Sequence, residues 1–318
     1  MIKLNICIVN YKTPQLVIDC LASLLPELFD GDATVVIADS NSQDGSVAKI
    51  NSWLKDNDPA GKCKLIALPV NGGFSAGYNA AMKVCPAEFY LLLNSDTVVR
   101  PGAIARLLEA AAEYPDAGLF GPCLEWPDET PQVSCFRDHS PASELIAAAR
   151  TRQVTALLQG YDVPLPNANA ELRPSWISFA AVLIRNAVLT SAGLLDEGFF
   201  LYFEDCEYCH RARQAGWEIM HVPAARIIHL HGQSSQVEDM ITTAKQLPHY
   251  YYASRTRYFR LRYGVAGPTL ANLGWCLGRL ISKLRETFGA KKPHLPEMAW
   301  KDIWTNWDTP LRPKPSTE

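Results

Sequence analysis

The sequence predicts an α/β protein with a Rossmann-like, mostly parallel sheet flanked by helices and a helical extension at its carboxyl end. Two observations predict this fold class. Short apolar runs alternate with segments of helical periodicity through residues 1–118, the order that right-handed βαβ crossovers produce. One run, from Phe89 to Leu93, is continuously apolar, as expected for a strand buried on both faces of a parallel sheet.

The elements of this first half follow a regular order. Apolar runs predict strands over Leu4 to Val9, Thr34 to Ala38, Lys64 to Leu68 and Phe89 to Leu93. Helical spacing predicts helices over Pro14 to about Leu25, after the SNSQDGS turn at 40–46, over Ser75 to Val84 and after Pro101-Gly102. Because parallel strands bind ligands beyond their carboxyl ends, the polar loops between these elements are expected to form a site.

The second half is less regular. Residues 119–173 are rich in proline and short polar clusters, with one helix predicted from Ser143 to about Leu158. Long irregular inserts in compact domains are commonly functional loops, so this segment is expected on the acceptor side of the site. Beyond it, the pattern predicts strands over Trp176 to Arg185 and Glu218 to Val222, and helices over Asn186 to Ala192 and about Asp205 to Gly216.

Composition excludes several classes of protein. A chain of 318 residues, 48% hydrophobic, can bury the core of one large domain with or without an appendage. The net charge of −3 and pI near 6.2 give no electrostatic case for binding nucleic acid. An odd number of cysteines, nine, and the absence of a signal peptide predict reduced thiols and a cytoplasmic location. No apolar run reaches the ~18 residues of a membrane span.

Carboxylates stand at the ends of three predicted elements. Asp39 ends the second strand, Asp96 follows the apolar run of the fourth, and Asp205 is expected at or near a helix N-cap beside Glu204. Each has a structural alternative as a turn or cap residue. The neighbouring charge of Glu204 is expected to raise the pKa of Asp205, which suits that carboxylate to proton abstraction.

A glycine loop and a histidine pair are further candidates. The NGGFSAGYNAA segment, 71–81, lets the backbone approach a ligand and presents free helix N–H groups to an anion. Its spacing is neither the dinucleotide fingerprint nor a P-loop, and a glycine-eased turn is the alternative. His229 and His231 are two residues apart in an extended segment, so they point to one side and either could reach a metal. A lone CxxC pair, Cys206 and Cys209, has no second pair at zinc-site spacing.

Seven segments, taken together, carry a family resemblance. They are NYKTP, ADSNSQDGS, NGGFSAGYNAA, LLLNSDTVV, GLLDEGFFLYFEDCEYCHRARQAGW, IIHLHGQSS and YYASRTRYFRLRYG. From Ile6 to about Tyr263 the chain resembles family-2 glycosyltransferases of the GT-A fold, particularly their rhamnosyltransferase-like branch. Each segment is weak alone, but all seven in this order are specific.

The resemblance implies roles for individual residues. It implies a nucleotide-sugar site formed by Asn10, Tyr11, Thr13, Asp39, Asn71, Gly73, Phe74, Asn79, Asn94, Ser95 and Asp96. It also implies that Asp96 and His229 bind Mg²⁺ or Mn²⁺, and that Asp205, beside Glu204, is the general base; His231 has no implied role. Two departures stand out: Asn94 replaces the first Asp of a D-x-D motif, as is common in the rhamnosyl branch, and ADSNSQDGS differs from the usual DNASSDG-like pattern.

The implied function is inverting transfer of a sugar from a nucleotide-diphosphate donor, with dTDP-rhamnose preferred. The implied acceptor is a saccharide or lipid-linked saccharide in bacterial surface polysaccharide synthesis, such as that of lipopolysaccharide. Three alternatives remain: another hexosyl or galactofuranosyl transferase of the family, a non-catalytic nucleotide-sugar-binding scaffold, and a sugar nucleotidyltransferase. The last requires a Gly- and Lys/Arg-rich phosphate loop, whereas Val9 is followed by NYKTP.

The expected domain organisation places a GT-A domain at 1–250, with a nucleotide-sugar half at 1–118 and an acceptor half at 119–250. A basic amphipathic helical extension is expected at 251–292 and a Pro- and Trp-containing tail at 293–318, disordered from Thr309. Nine basic residues between Arg255 and Lys292 face one acid, Glu286. This segment either lies on an anionic membrane surface, peripheral on the inner face of the plasma membrane, or packs on the domain with a solvated basic face. Trp300, Ile303, Trp304 and Trp307 either join that surface or fold back on the core.

Overall fold

The computed structural model describes residues 2–28, 32–166, 170–230, 232, 237–289 and 294–312. Its strands are β1 Ile2–Asn10, β2 Ala33–Asp39, β3 Cys63–Ala67, β4 Ala87–Asn94, β5 Thr97–Val99, β6 Ala117–Glu125, β7 Cys135–Phe136, β8 Pro164–Leu165, β9 Trp176–Ile177, β10 Ala181–Arg185 and β11 Glu218–His229. Its helices are α1 Pro14–Leu24, α2 Ser46–Asn57, α3 Gly73–Val84, α4 Ala103–Glu113, α5 Pro141–Ala149, α6 Arg152–Leu157, α7 Asn186–Ala192, α8 Glu204–Gln214, α9 Val237–Thr242, α10 His249–Tyr263, α11 Gly267–Thr287 and α12 Ala299–Asp302. The four strands predicted in the first half and the helices after them are confirmed to within two residues at most ends.

An eight-stranded sheet organises the molecule, in the order β3-β2-β1-β4-β10-β6-β11-β5. The first four strands are parallel, and β6 runs parallel to β11, whereas β10 and β5 are antiparallel to their neighbours. The predicted fold class, a mostly parallel sheet flanked by helices, is confirmed. Asn10 pairs with Asp39, and Val9 with Asn94, so the loops after β1, β2 and β4 emerge at one edge of the sheet.

The two faces of the sheet carry separate cores. In β4, Leu91 and Leu93 pack with α1 and α4, whereas Tyr90 and Leu92 pack with α3, α8 and α10 on the other side. All four side chains are buried, and burying each leucine contributes about 1.5–3 kcal/mol to stability. The strand is continuously apolar because neither of its faces meets solvent.

The expectation of irregular structure from residue 119 onward is wrong for β6. This strand is buried over its whole length, and the expected half-domain boundary at residue 118 falls inside it. Gly118, Gly121 and Pro122 read as strand breakers in the sequence. Both positions require glycine because neighbouring side chains fill the space that a Cβ would occupy. A Cβ would lie 2.4 Å from Val188 Cγ2 at Gly118 and 2.9 Å from Ile177 Cδ1 at Gly121.

Two further elements differ from expectation. The single strand predicted from Trp176 to Arg185 is two strands, because the backbone changes partners: β9 joins a small sheet of order β8-β7-β9, and Ala180 O then accepts from Asn94 N at 2.8 Å. The helix predicted from Ser143 to Leu158 is interrupted at Arg150, which has a left-handed φ of 43°. Helix α6 then begins afresh behind its N-cap, Thr151.

The carboxyl-terminal extension consists of two helices, α10 and α11, separated by a turn at Gly264. Several of its arginines point inward to acids of the domain: Arg255 to Glu144, Arg257 to Asp196 and Arg262 to Asp138. The expectation of a uniformly solvated basic face is therefore wrong for these residues. Lys291, Lys292 and residues 313–318 of the tail lie outside the described residues. Within the described ranges, no helix is both long and apolar enough to cross a membrane.

Candidate active site

A cleft with two adjoining lobes opens at the carboxyl edge of β1, β2 and β4. The lobes share Phe74, Asn94 and Leu201 in their walls. The loop lobe, about 660 Å³, is lined by the loops after β1, β3 and β4. The carboxylate lobe, about 850 Å³, is lined by Asp96, Glu204, Asp205 and His229, together with neighbouring aromatic residues.

Most of the predicted nucleotide-sugar residues line the loop lobe. They are Tyr11, Thr13, Asn71, Gly73, Phe74, Asn94 and Ser95. Tyr11 is 40% exposed and presents its ring to solvent, with Lys12 Nζ 5.0 Å from the ring centroid. An exposed aromatic ring can stack on a nucleotide base, and the lysine beside it can neutralise the charge of a phosphate.

Three predicted site residues lie behind the cleft wall. Asp39 accepts hydrogen bonds from Asn10 Nδ2 and Ser42 Oγ, both at 2.6 Å, so it braces the loops after β1 and β2. Asn79 donates to Leu195 O and Glu197 and accepts from Leu195 N. These side chains are buried, and they hold the lobe's loops in place.

The glycine loop contacts the segment before α8 through its backbone. Phe74 N donates to Phe200 O at 2.7 Å. Gly73 has a φ of +77°, and a Cβ there would lie 2.2 Å from Phe200 O. Only glycine allows this approach, which couples the loop lobe to the carboxylate lobe.

Strand pairing brings Asp96 and His229 together. Strand β11 runs antiparallel to β5, with His229 opposite Thr97, and Leu230 N donates to Asp96 O at 2.9 Å. His229 Nε2 consequently lies 3.6 Å from Asp96 Oδ1. That distance is too long for a hydrogen bond, but it lets both atoms reach one cation at about 2.0–2.2 Å each.

The chemistry of these two ligands fits Mg²⁺ or Mn²⁺. Carboxylate oxygen and imidazole nitrogen both bind such ions, and Mg²⁺ characteristically takes only one or two carboxylates plus substrate phosphates and water. In the part of the chain that the structure describes, no three His, Cys, Asp or Glu residues form a metal-holding group. The side-chain oxygen of Asn94, Oδ1, accepts a hydrogen bond from Tyr78 OH at 3.1 Å. This oxygen therefore helps to hold the wall of the cleft in place.

Helix α8 carries the two adjacent carboxylates. The helix begins at Glu204, and its N-cap is Phe203, so Asp205 lies near the N-cap, as expected, but is not the cap itself. Asp205 lies in the first turn and its Oδ1 accepts from Cys206 N at 2.8 Å. Glu204 is 5% exposed, whereas Asp205 is partly exposed to the lobe.

Burial dominates the electrostatics of Asp205. Desolvation raises the pKa of its carboxyl from 3.8 to about 7, although hydrogen bonds from backbone N–H groups, that of Cys206 first, act to lower it. A carboxylate with a pKa near neutrality is an effective general base at the pH of most cells.

Strained backbone positions these carboxylates. Tyr202 and Phe203 have φ angles of 70° and 67°, a left-handed conformation that costs aromatic residues of order 1–3 kcal/mol each. Aromatic packing from α10 compensates: the ring of Tyr251 lies 5.6 Å from that of Tyr202 and 5.7 Å from that of Phe203. The sequence did not single out Tyr202, Phe203 and Tyr251 as residues that position the site. The unusual density of aromatic residues in FFLYF and HYYYA was the signal that could have found them.

The sequence also did not indicate which residues form the far wall of the carboxylate lobe. Trp176 stacks on Phe136 with ring centroids 4.0 Å apart, and both line the lobe. Gln132 donates to His229 O at 2.8 Å, which fixes the end of β11. Phe136 and Gln132 come from the segment 119–173 that is expected on the acceptor side, and Trp176 follows three residues after its end.

Two other candidates do not enter the site. Cys206 and Cys209 are buried free thiols whose pKa values are raised by desolvation, which suits core packing rather than redox chemistry. His231 lies outside the described residues.

Comparison with known proteins identifies the class of fold. The mannosyltransferase PcManGT from Pyrobaculum calidifontis, solved with GDP-Man and Mn²⁺, superposes with a TM-score of 0.57 at 13% identity, covering 98% of this chain and 85% of that one. GalNAc-T7, solved with UDP, GalNAc and Mn²⁺, gives a TM-score of 0.57 at 15% identity, covering 96% of this chain and 56% of that one. The protein therefore has the GT-A glycosyltransferase fold.

Comparison of sequences shows which family the first part of the chain is similar to. Residues 5–143 match the family model described as Glycosyl transferase family 2. The chain is 30% identical over 148 residues to N-acetylglucosaminyl-diphospho-decaprenol L-rhamnosyltransferase of Mycobacterium tuberculosis (strain CDC 1551 / Oshkosh), covering 45% of this chain and 47% of that relative. It is 27% identical over 248 residues to the O-antigen biosynthesis protein RfbC of Myxococcus xanthus, covering 76% of this chain and 18% of RfbC. The matches thus span less than half of these relatives. Residues 5–143 are thus similar to glycosyltransferase family 2, and the chain is similar to a rhamnosyltransferase over 148 residues.

Proposed function

We propose that this protein is a metal-dependent, inverting glycosyltransferase. It transfers a sugar from a nucleotide-diphosphate donor in the loop lobe to a hydroxyl group of an acceptor in the carboxylate lobe. The observation that carries the proposal is the convergence of Asp96, His229 and Asp205 on one lobe, which adjoins the lobe lined by the predicted nucleotide-sugar residues.

The proposed reaction is a single displacement. The acceptor oxygen attacks the anomeric carbon, its proton passes to Asp205, and the bond from that carbon to the diphosphate breaks with both electrons leaving on the diphosphate. A sugar hydroxyl is a poor nucleophile until a base removes its proton during attack. One displacement opposite the leaving group inverts the configuration. Glu204, the first residue of α8, lies next to the base in the chain and lines the same lobe.

Asp96 and His229 would hold the divalent cation at the floor of the lobe. Such an ion, when bound, neutralises the negative charge that develops on the departing diphosphate. The positive end of the α3 helix dipole, at Gly73, favours the same anionic group. Two neighbours of this fold were solved with Mn²⁺ and a nucleotide or nucleotide sugar, which supports the choice of cofactor.

Rhamnose carried on dTDP is our preferred donor, and a lipid-linked saccharide our preferred acceptor. The support is the similarity to a rhamnosyltransferase whose name includes a decaprenol diphosphate acceptor, and to a protein of O-antigen biosynthesis. We place the protein in the cytoplasm, in contact with the inner face of the plasma membrane, with no nucleic-acid partner. A non-catalytic scaffold is not favoured, because such a protein has no need to retain Asp96, Asp205 and His229 together in one cavity.

A panel of nucleotide sugars with Mn²⁺ tests the proposal by thermal shift. A ligand that binds only the native state raises its apparent stability by mass action. dTDP-rhamnose is expected to raise the melting temperature in the presence of Mn²⁺, and the shift should shrink with EDTA. An equal shift with and without metal would refute the role of Asp96 and His229, and no shift with any nucleotide sugar would refute the function itself.

A further inference from the structure

The outward face of α11 is almost entirely apolar. Its large exposed side chains, each between 47% and 57% exposed on the helix and 82% exposed just beyond it, are Leu270, Leu273, Leu277, Leu280, Leu284 and Phe288. These residues are three or four positions apart, so they form one stripe along the helix. At 1.5 Å per residue, the stripe is about 27 Å long.

Charge is nearly absent from this face. Among the exposed residues of α11, only Lys283 is charged. Arg279 is partly buried and pairs with Glu286. Monomeric soluble proteins seldom expose a continuous apolar patch of this extent without a binding role.

The opposite face of α11 is firmly attached to the domain. Gly274 and Gly278 allow contact with α5: a Cβ would lie 2.2 Å from Pro141 O and 2.4 Å from Leu145 O. Trp275 is buried on the same side. The helix therefore cannot turn its leucines inward without losing this packing, and the stripe is a permanent surface feature.

Two of the three exposed tryptophans of the tail, Trp304 and Trp307, lie near the amino-terminal end of the stripe. Trp307 Nε1 donates to Thr269 Oγ1 at 3.0 Å, and the rings of Trp304 and Trp307 lie 6.0 Å apart. Trp300, Trp304 and Trp307 are 65%, 42% and 45% exposed, whereas Ile303 between them is buried. The tail thus packs on the core through Ile303 and presents its indole rings to solvent.

A lipid bilayer fits this surface better than a second protein copy does. A strip about 27 Å long and about 10 Å wide has a projected area of roughly 270 Å²; even doubled for side-chain relief, it is smaller than the ~800 Å² per partner of a stable protein interface. Of the charged residues beside the stripe, Lys283 and Arg285 are both basic and Glu286 is paired with Arg279, so they supply no matching opposite charges to set the register of a second helix. Exposed tryptophans next to an apolar face are typical of membrane-interface contacts.

We propose that the α11 face and the three tryptophans form a membrane-docking surface, with α11 lying in the plane of the bilayer and its leucines at the headgroup–acyl boundary. The attachment is chiefly hydrophobic, since several arginines of this extension are paired with acids of the domain. This differs from the electrostatic contact that the basic sequence pattern predicts. The inference rests on the proposed function only in that a lipid-linked acceptor gives the docking its purpose.

Vesicle co-sedimentation of the purified full chain tests the proposal. The wild type is expected to bind vesicles of phosphatidylcholine alone as well as vesicles that include phosphatidylglycerol, and to remain bound at high salt. The double variant Leu277→Gln/Leu280→Gln removes two side chains that are 51% and 55% exposed. It is expected to lower partitioning at least about tenfold with an unchanged melting temperature.

Leu157→Gln is the matched control, because Leu157 is 83% exposed on α6, away from the stripe, and its loss should leave partitioning unchanged. Equal binding by the double variant and wild type would overturn the proposal, as would binding that requires phosphatidylglycerol and disappears in salt. Light scattering without lipid provides a second check: a wild-type dimer that the double variant converts to monomer would assign the stripe to self-association instead. Thermal shift with nucleotide sugar and Mn²⁺ on the same samples separates the two proposals, since donor binding without vesicle binding overturns the docking surface alone.

Discussion

Replacing Asp205 with asparagine tests the electrostatics and the chemistry of the site together. Desolvation raises the pKa of the Asp205 carboxyl from 3.8 to about 7, so the folded state binds this proton more tightly than the unfolded state does. The ionised carboxylate therefore destabilises the fold. This cost is absent below pH 3.8, grows as the pH rises toward 7 and is fully present above it.

The size of the effect follows from the pKa. At 1.36 kcal/mol per pKa unit, the difference between 3.8 and about 7 is worth at most about 4 kcal/mol at pH 8. Asparagine is nearly isosteric, and its Oδ1 can still accept from Cys206 N as the carboxylate does. We therefore expect Asp205→Asn to be more stable than wild type at pH 8, by about 2–4 kcal/mol, and about equal to it near pH 4.

Transfer should respond in the opposite direction. Loss of a general base costs about 10²–10⁴-fold in rate, whereas nucleotide-sugar binding in the loop lobe should remain nearly intact. In the wild type, kcat/KM is expected to rise with pH through about 7, as Asp205 ionises. Urea unfolding at the two pH values measures the stability difference, and product formation measures the rate.

Asp128→Asn is the control for this experiment. Asp128 lies in an exposed turn where a hydrogen bond from Thr130 N lowers its carboxyl pKa, so the substitution should bring no gain at pH 8. An Asp205→Asn protein that turns over near normally would exclude Asp205 as the base. One that unfolds like wild type at both pH values would show that burial does not raise its pKa.

Three further substitutions test other parts of the structure. His229→Ala should weaken Mn²⁺-dependent nucleotide binding at least about tenfold while leaving any metal-free binding unchanged, as measured by titration calorimetry; an unchanged affinity in Mn²⁺ would exclude it as a ligand. Gly73→Ala forces a Cβ to within 2.2 Å of Phe200 O at a φ of +77°, so it should lower stability by about 1–3 kcal/mol and weaken donor binding; an unaltered urea midpoint would contradict the close approach. Arg255→Ala leaves Glu144 without its buried partner and should lower the free energy of unfolding by about 3–5 kcal/mol. Arg106→Ala is the control, because it breaks an exposed pair that should contribute less than about 1 kcal/mol. Equal losses of stability in the two variants would argue against burial of the Arg255 pair.

The sequence predicted those features that depend on local pattern. The continuous apolar run before Asp96 is a strand buried on both faces, and each polar loop after a strand emerges at the cleft edge. Asp96, Asp205 and His229 could be singled out because they stand at element ends, where parallel sheets place ligands. Their mutual distances could not, because 133 residues separate Asp96 from His229 in the chain and the pairing of β5 with β11 brings them together.

Local pattern does not show what a side chain packs against. Asp39 and Asn79 are predicted to contact the nucleotide sugar, and their buried side chains also brace loops, as polar groups at strand or helix ends can; their contact with the donor stays a prediction. Gly118 and Gly121 look like loop residues, yet they lie in β6 because Val188 and Ile177 fill the space above them.

In helix α11, too, the sequence determined some features and the tertiary structure determined others. Its leucine spacing, by itself, determined that a helix with an apolar stripe would form, because a 3.6-residue period is a property of the chain alone. Only the tertiary structure decided that the leucine stripe faces outward, since the glycines at 274 and 278 fit α5 more closely than leucine side chains could. It also decided that several arginines, which the sequence left facing either a membrane or solvent, are held by acids of the domain. A buried charge requires a partner, and sequence spacing does not reveal which residues will be buried.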